Sequence, residues 1–232
     1  MDGFNWDPLD DVSDEARKRL EAFQSLLLQF NRKVNLISAD SESAFENEHA
    51  RHCLTLLHRR FPDGAQIVDW GTGGGLPAIP LAITNPEATV YAVDSVGKKV
   101  RIVRTMARRL GLENCFPWHG RAEDWEGEAH YSVSRATAPL AELWSWHRRV
   151  VVPWEGEPWE GEPDLRDADD FWTPGLLCLK GGDLTEETAD LRDTDPAASV
   201  ETIELGPLLG RDDHFWAEKK LVAVTRDADA AP

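Results

Sequence analysis

The chain of 232 residues predicts an α/β fold, with a seven-stranded, mostly parallel sheet, an antiparallel edge, and a helical N-terminal extension. Three observations carry that expectation. The apolar pair Ile67–Val68 ends in Asp69 and a glycine-rich turn, the pattern of a strand feeding a helix. Strand-like and helix-like segments then alternate as far as Lys180. The last two strand-like runs have no helical pattern between them, so they are expected to pair antiparallel at the sheet edge.

Each element has its own signal. Ser13 caps the first helix, with Asp14 and Glu15 in its first turn. Leu20, Phe23, Leu27, Phe30 and Val34 recur at helical spacing and give it one apolar face. After a polar break from Ser38 to Ser43, a second helix is expected to about Arg60, with Phe45, Cys53, Leu56 and Leu57 inward. Strands are expected at Ile67–Asp69, Thr89–Asp94, Cys115–His119, Tyr131–Ser134, Leu176–Lys180, Val200–Leu205 and Leu221–Thr225. Helices are expected at Pro77–Thr84, Lys98–Leu110 and Leu140–Val150. Residues 1–60 thus form the extension and 61–232 the sheet domain, together one globular unit. The string WEGEPWEGEP repeats five residues between Trp154 and Pro163, and the acidic segment runs on to Asp170. Proline, glycine and glutamate at that density oppose core packing, so 154–173 reads as an exposed, mobile insertion.

Composition narrows the class. No run of 18 apolar residues occurs, and the acidic start MDGFNWDPLDD is unlike a secretory signal, so a soluble, cytoplasmic protein is expected. Cys53, Cys115 and Cys178 are odd in number and far apart, which opposes a disulfide framework or a zinc site and predicts half-buried thiols. The 42 acidic residues outnumber the 25 basic ones for a net charge of −17, and 18 of the basic residues are arginine. Such a surface resembles proteins of a high-salt cytoplasm, where a Debye length of about 3 Å at 1 M screens self-repulsion. On that hypothesis the melting temperature rises strongly between low and molar KCl; a flat response removes it.

The glycine turn decides the ligand. Acid and glycines fall in the order Asp69-x-Gly71-x-Gly73-x-Gly75, with Pro77 at the helix start. Proline suits a first helical turn because its missing N–H would be unpaired there. The dinucleotide fingerprint needs glycine at its first, third and sixth positions. Counted from Gly71, the sixth is Leu76. A pyrophosphate prefers a helix N-terminus without nearby negative charge. A carboxylate at the strand end instead suits a cationic or zwitterionic ligand, and S-adenosylmethionine carries a sulfonium and an ammonium. The methyl donor is therefore favoured over NAD, with an NAD-dependent oxidoreductase as the alternative; a turn that binds nothing is the blandest option. Asp94 ends the next strand, about 20 residues on, where Rossmann-like folds bond ribose hydroxyls. It also suits a helix cap, and the ribose is common to both cofactors.

Two charged groups need weighing. His49, His52 and His58 have loose ligand-like spacing, but beside Glu48 they read as a solvated or RNA-facing edge, and no metal is expected. Lys98, Lys99, Arg101, Arg104, Arg108 and Arg109 crowd into twelve residues whose Val100, Val103, Ala107 and Leu110 give a buried side. That is either a basic patch steering RNA or a counterweight to acid elsewhere.

Several strings together resemble the glucose-inhibited division B family, bacterial methyltransferases that modify guanine N7 of 16S ribosomal RNA. They are FNRKVNLIS (Phe30–Ser38), EHARHCLTLL (Glu48–Leu57), VDWGTGGGLPAIPLAI (Val68–Ile83), VDSVGKKVR (Val93–Arg101), LGLEN with HGRAED, SRATAPL (Ser134–Leu140) and LKG (Leu179–Gly181). The likeness runs from about residue 20 to 226. It implies a Rossmann-like class I methyltransferase fold, with Gly71 and Leu76 contacting the donor, Ala122 and Glu123 flanking its adenine, and Arg135 at the site mouth. With the residue reading, the donor set becomes Asp69, Gly71, Gly73, Gly75, Leu76, Asp94, Ala122, Glu123 and Arg135. Ala78, Trp70, the His52–Cys53 pair and the insertion depart from the family pattern.

The implied partner is 16S ribosomal RNA in the small subunit, with no membrane and a monomeric enzyme. Guanine N7 has a lone pair and no proton, so in-line approach and water exclusion suffice without a general base. Arg135 is then a positioning group for a phosphate or the guanine O6 edge. Lys180 is a further candidate substrate contact, or else a surface partner. A catalytically silent RNA-binding module is the remaining alternative.

Overall fold

The structure, a computed structural model, describes residues 6–37, 49–135, 137–153 and 171–226. Seven strands form one sheet: β1 (Gln66–Trp70), β2 (Thr89–Asp94), β3 (Cys115–His119), β4 (Tyr131–Arg135), β5 (Gly175–Gly181), β6 (Ala198–Glu204) and β7 (Lys219–Arg226). Their order is β3-β2-β1-β4-β5-β7-β6. β1 to β5 pair in parallel, and β7 runs antiparallel to both β5 and β6. The last two runs do pair antiparallel at an edge; β7 is the reversed strand and β6 lies outermost.

Alternate strand residues feed two cores, one on each face. Ile67, Leu177 and Leu179 join one; Val68, Leu176 and Cys178 join the other. A strand buried on both sides reads as a continuous apolar run, which is why β1 and β5 were legible. The first face is covered by α1 (Asp14–Asn31), α3 (Ala78–Thr84) and α4 (Gly97–Arg109). The second is covered by α5 (Leu140–Val150) and α6 (Thr185–Thr194).

The extension is tied into this frame. The Ser13 hydroxyl caps α1 by accepting the Ala16 N–H at 3.2 Å, and Ala16, Leu20, Phe23 and Leu27 are buried. Val34 lies beyond the helix end. There the Asn31 side chain accepts the Leu36 and Ile37 N–H groups at 2.7 and 3.0 Å, turning the chain back toward the sheet. Leu27 and Leu36 then press on the glycine turn, since a Cβ at Gly74 would lie 2.9 Å from Leu27 Cδ1 and 3.2 Å from Leu36 Cβ.

Some expectations change. The second helix is a short α2 (Arg51–Leu54) continued by a tighter turn at Thr55–His58; Phe45 lies outside the described residues. α6 and α7 (Leu205–Leu209) were not foreseen. α6 buries only Leu191, too little for a periodic signal. The WEGEP repeat also lies outside the described residues, but the end of the expected insertion does not. Trp172 is buried, donating its indole N–H to the Leu56 carbonyl at 2.7 Å and accepting the Tyr131 hydroxyl at 2.8 Å. An aromatic surface of that size docks into the core rather than staying in water.

Candidate active site

The strand order reverses beside β1, with β2 on one side and β4 on the other. In open α/β sheets the crevice beyond the strand ends at such a reversal is where ligands bind. Here it holds a cavity of about 520 Å³, within the ~300–1,000 Å³ of small-molecule sites.

The turn after β1 builds one wall. Gly71 and Thr72 both donate to the Val93 carbonyl at 2.9 Å, pinning the turn against the end of β2. Gly71 has φ +72°, and a Cβ there would sit 2.2 Å from Thr137 Cγ2. Thr137 cannot easily yield, because its hydroxyl donates to the Trp70 carbonyl at 3.1 Å. Gly73 has φ +57°, with nothing nearer to its missing Cβ than the Gly71 oxygen at 3.9 Å. At Gly73 the backbone therefore stands bare at the cavity wall. Asp94 closes the next wall: its carboxylate accepts the Gly73 N–H at 2.9 Å and the Val96 N–H at 2.7 Å.

Gly71, Gly73, Leu76, Asp94, Ala122, Glu123 and Arg135 all line this cavity. Three other sequence candidates do not. Asp69 is fully buried behind the turn and accepts the Ala78 N–H, at the start of α3, at 3.1 Å. Burial pushes its carboxyl up to about 7, against the pull of the Thr72 hydroxyl, the Ala78 N–H and the Arg135 charge. It braces the turn and does not line the cavity. Gly75, at φ +87°, has Ile79 against its missing Cβ and serves the turn's shape. Lys180 is buried and donates to the Ala138 carbonyl at 2.6 Å and to Glu187 Oε2 at 2.7 Å. Glu187 Oε2 also accepts the Leu140 N–H at 2.9 Å, so this pair fixes the loop leading into α5.

Sequence reasoning missed Leu36, Arg121, Thr137 and Trp146, which also line the cavity, and placed Lys99 in the basic patch without bringing it to this wall. Thr137 had a signal, since it stands in the same SRATAPL string as Arg135. Leu36 had one in FNRKVNLIS, where Asn31 makes the fold-back.

His52 is not part of a solvated edge. His52 is buried edge-on against Phe215 and Trp216, with ring centroids 5.8 and 5.9 Å away. Burial, then the charges of Arg135 and Lys219, hold it well below the usual histidine range. The cysteines are free and buried rather than half-buried, and burial pushes each thiol up to about 12. That removes them as nucleophiles at neutral pH. Among the described residues no cluster of three or more His, Cys, Asp or Glu side chains is arranged to hold a metal ion.

α4 presents Lys98, Arg101, Arg104, Arg108 and Arg109 to solvent, while Lys99 reaches the cavity. None of these six forms an ion pair among the described residues. The basic patch is therefore not consumed in balancing acid nearby.

Sheet order, reversal point and glycine wall together define a Rossmann-like class I methyltransferase fold. The chain superposes on a ribosomal protein L11 methylase from Lactobacillus delbrueckii subsp. bulgaricus with a TM-score of 0.53, at 12% identity, covering 77% of this chain and 78% of that one. Within that class, residues 16–156 match the model of the family GidB, rRNA small subunit methyltransferase G, and the chain belongs to that family. It is 58% identical to the ribosomal RNA small subunit methyltransferase G of Salinibacter ruber over 224 residues, 97% of this chain and 99% of the relative. It is 35% identical to that of Bacteroides fragilis over 217 residues, covering 93% and 95%. The oxidoreductase alternative falls with this membership.

Proposed function

We propose that the cavity binds S-adenosylmethionine and that the protein methylates N7 of a guanine in 16S ribosomal RNA. The observation that carries this reading is the glycine turn, its backbone bare at Gly73 and locked there to Asp94 at the strand-order reversal. In this reading Gly71, Gly73 and Leu76 border the methionyl part, Asp94 takes the ribose hydroxyls, and Ala122 and Glu123 flank the adenine. Asp94 is well placed to bond a ribose, because each of its oxygens already accepts one N–H, which fixes its orientation and leaves lone pairs for hydroxyls. Asp69 and Gly75 hold the turn in shape, and Lys180 holds the loop behind Arg135.

The bound donor supplies an electrophilic methyl on a sulfonium; its S–C bond breaks as N7–C forms, leaving a neutral thioether and a cationic guanine. N7 has no proton to lose, so the chain needs no general base. This fits the neutral, buried His52 and the unreactive thiols. What the residues contribute is position and exclusion of water. The exposed cations of α4, on a chain of net charge −17, supply the local attraction that phosphate needs. N7 lies in the deep groove of A-form RNA, so the target is an unpaired or extruded nucleotide. We read the working unit as a monomer.

The test is to incubate the protein with labelled donor and unmethylated small subunits, then map the modified base. One guanine bearing a 7-methyl group is expected. Label on no RNA, or on a different atom, overturns the reading.

A further inference from the structure

Arg135 closes β4 and lines the cavity. Its Nη1 donates to His49 Nδ1 at 2.7 Å. A guanidinium has no acceptor, so the imidazole nitrogen must offer its lone pair, and the ring is the neutral Nε2–H form. The surroundings favour that form: burial first, then the charges of Arg135 and Lys219, push His49 down to about 4. No Asp or Glu pairs with Arg135 among the described residues. The acid that feels its charge is Asp69, buried behind the turn. Arg135 therefore has a fixed direction and an intact positive charge at the cavity wall.

A carboxylate in place of His49 would anchor the guanidinium more strongly but cancel its charge. An apolar residue would leave the charge and lose the direction. A neutral acceptor keeps both.

We propose that His49 is a positioning residue: its uncharged imidazole aims the Arg135 guanidinium at the cavity mouth without neutralising it, leaving the arginine to take an oxyanion of a reactant. The inference rests on the cavity being the methyl-donor site. Two oxyanions share that chemistry, the carboxylate of the donor and a phosphate of the RNA.

Four proteins test it: wild type, H49Q, H49L and H49E, each with its melting temperature, donor affinity by calorimetry, and kcat and KM on the RNA at several salt concentrations. H49Q offers a neutral acceptor and should keep kcat/KM within about threefold, as the low end of a lost hydrogen bond implies. H49L should lose about tenfold, and H49E at least as much despite its stronger anchor. If the oxyanion is a phosphate, the loss appears in KM, and the log–log salt slope of RNA binding for H49E falls by about one while donor affinity holds. If it is the donor carboxylate, calorimetric affinity falls without RNA and the salt slope is unchanged. Full activity in H49L and H49E, or better activity in H49E than in H49Q, overturns the proposal. So does loss in all three variants in step with their melting temperatures. A wild-type protein that neither binds donor nor methylates RNA would remove the underlying site assignment as well.

Discussion

Of two hollows bordered by described residues, the larger one is not the site proposed for the donor. The cavity beside the glycine turn measures about 520 Å³, whereas a hollow bordered by α1, the Thr55–His58 turn and the end of α3 measures about 840 Å³. The difference lies in the walls. Around the larger hollow the cations already have partners: Arg59 pairs with Glu201 at 2.7 Å, and Arg60 stacks over the Phe171 ring at 4.4 Å. Around the smaller one the backbone is bare at the positive-φ Gly73, Asp94 is held in place by N–H donors, and Arg135 has no carboxylate partner among the described residues. Preorganised, unspent polar groups mark a binding site better than volume does.

Substitutions on the two sides should separate sharply. The largest effect is expected from Gly73→Val. The left-handed backbone costs a branched residue about 1–2 kcal/mol, and the added atoms stand at the cavity wall. Calorimetry should show donor affinity down more than a hundredfold with the fold retained; unchanged affinity would refute the placement. Arg135→Ala comes next, lowering kcat/KM on RNA by roughly 10- to 100-fold, as a lost charge-assisted contact does. Full turnover would remove its role.

Asp94→Asn should weaken donor binding about tenfold, because an amide cannot accept on both sides, an effect of about 1.5 kcal/mol. Equal affinity would show that the ribose lies elsewhere. Asp69, on the hidden side of the same turn, should instead show itself through pH. Its folded carboxyl keeps its proton up to about 7, against an ordinary aspartate value of 3.8. Between those values the native state binds more protons, so its contribution to stability falls as pH rises and levels off above about 7. The melting temperature of D69N relative to wild type should climb over that range, and a difference independent of pH contradicts the burial argument. The smallest effect is expected across the molecule: Arg60→Ala, in the larger hollow, should leave donor affinity within about twofold, the scatter expected of independent sites. A large loss there would reverse the comparison.

What the chain revealed before its fold was known follows the same divide. β1 and β5 were legible because burial on both faces makes apolar runs, and the turn because only glycine accepts its backbone. Asp69 and Asp94 both read as donor-binding acids, each ending a strand beside the turn. Which one lines the cavity depends on depth: Asp69 is fully buried and accepts the Ala78 N–H at the start of α3, whereas Asp94 stands at the cavity wall. Lys180 likewise looked like a free cation until Glu187, on the unforeseen α6, met it. His52 read as surface because Glu48 stands beside it on the expected helix, yet Phe215 and Trp216, more than 160 residues later, enclose it. Leu36 and Thr137 were missed for the opposite reason: each is ordinary alone and reaches the cavity through a neighbour's hydrogen bonds.

Crystals grown with S-adenosylhomocysteine give the most direct test of the central claim. The account predicts the thioether compound lying against Gly71 to Leu76 with its ribose hydroxyls on Asp94. Density confined to the larger hollow, or no density beside the glycine turn at saturating ligand, would contradict it.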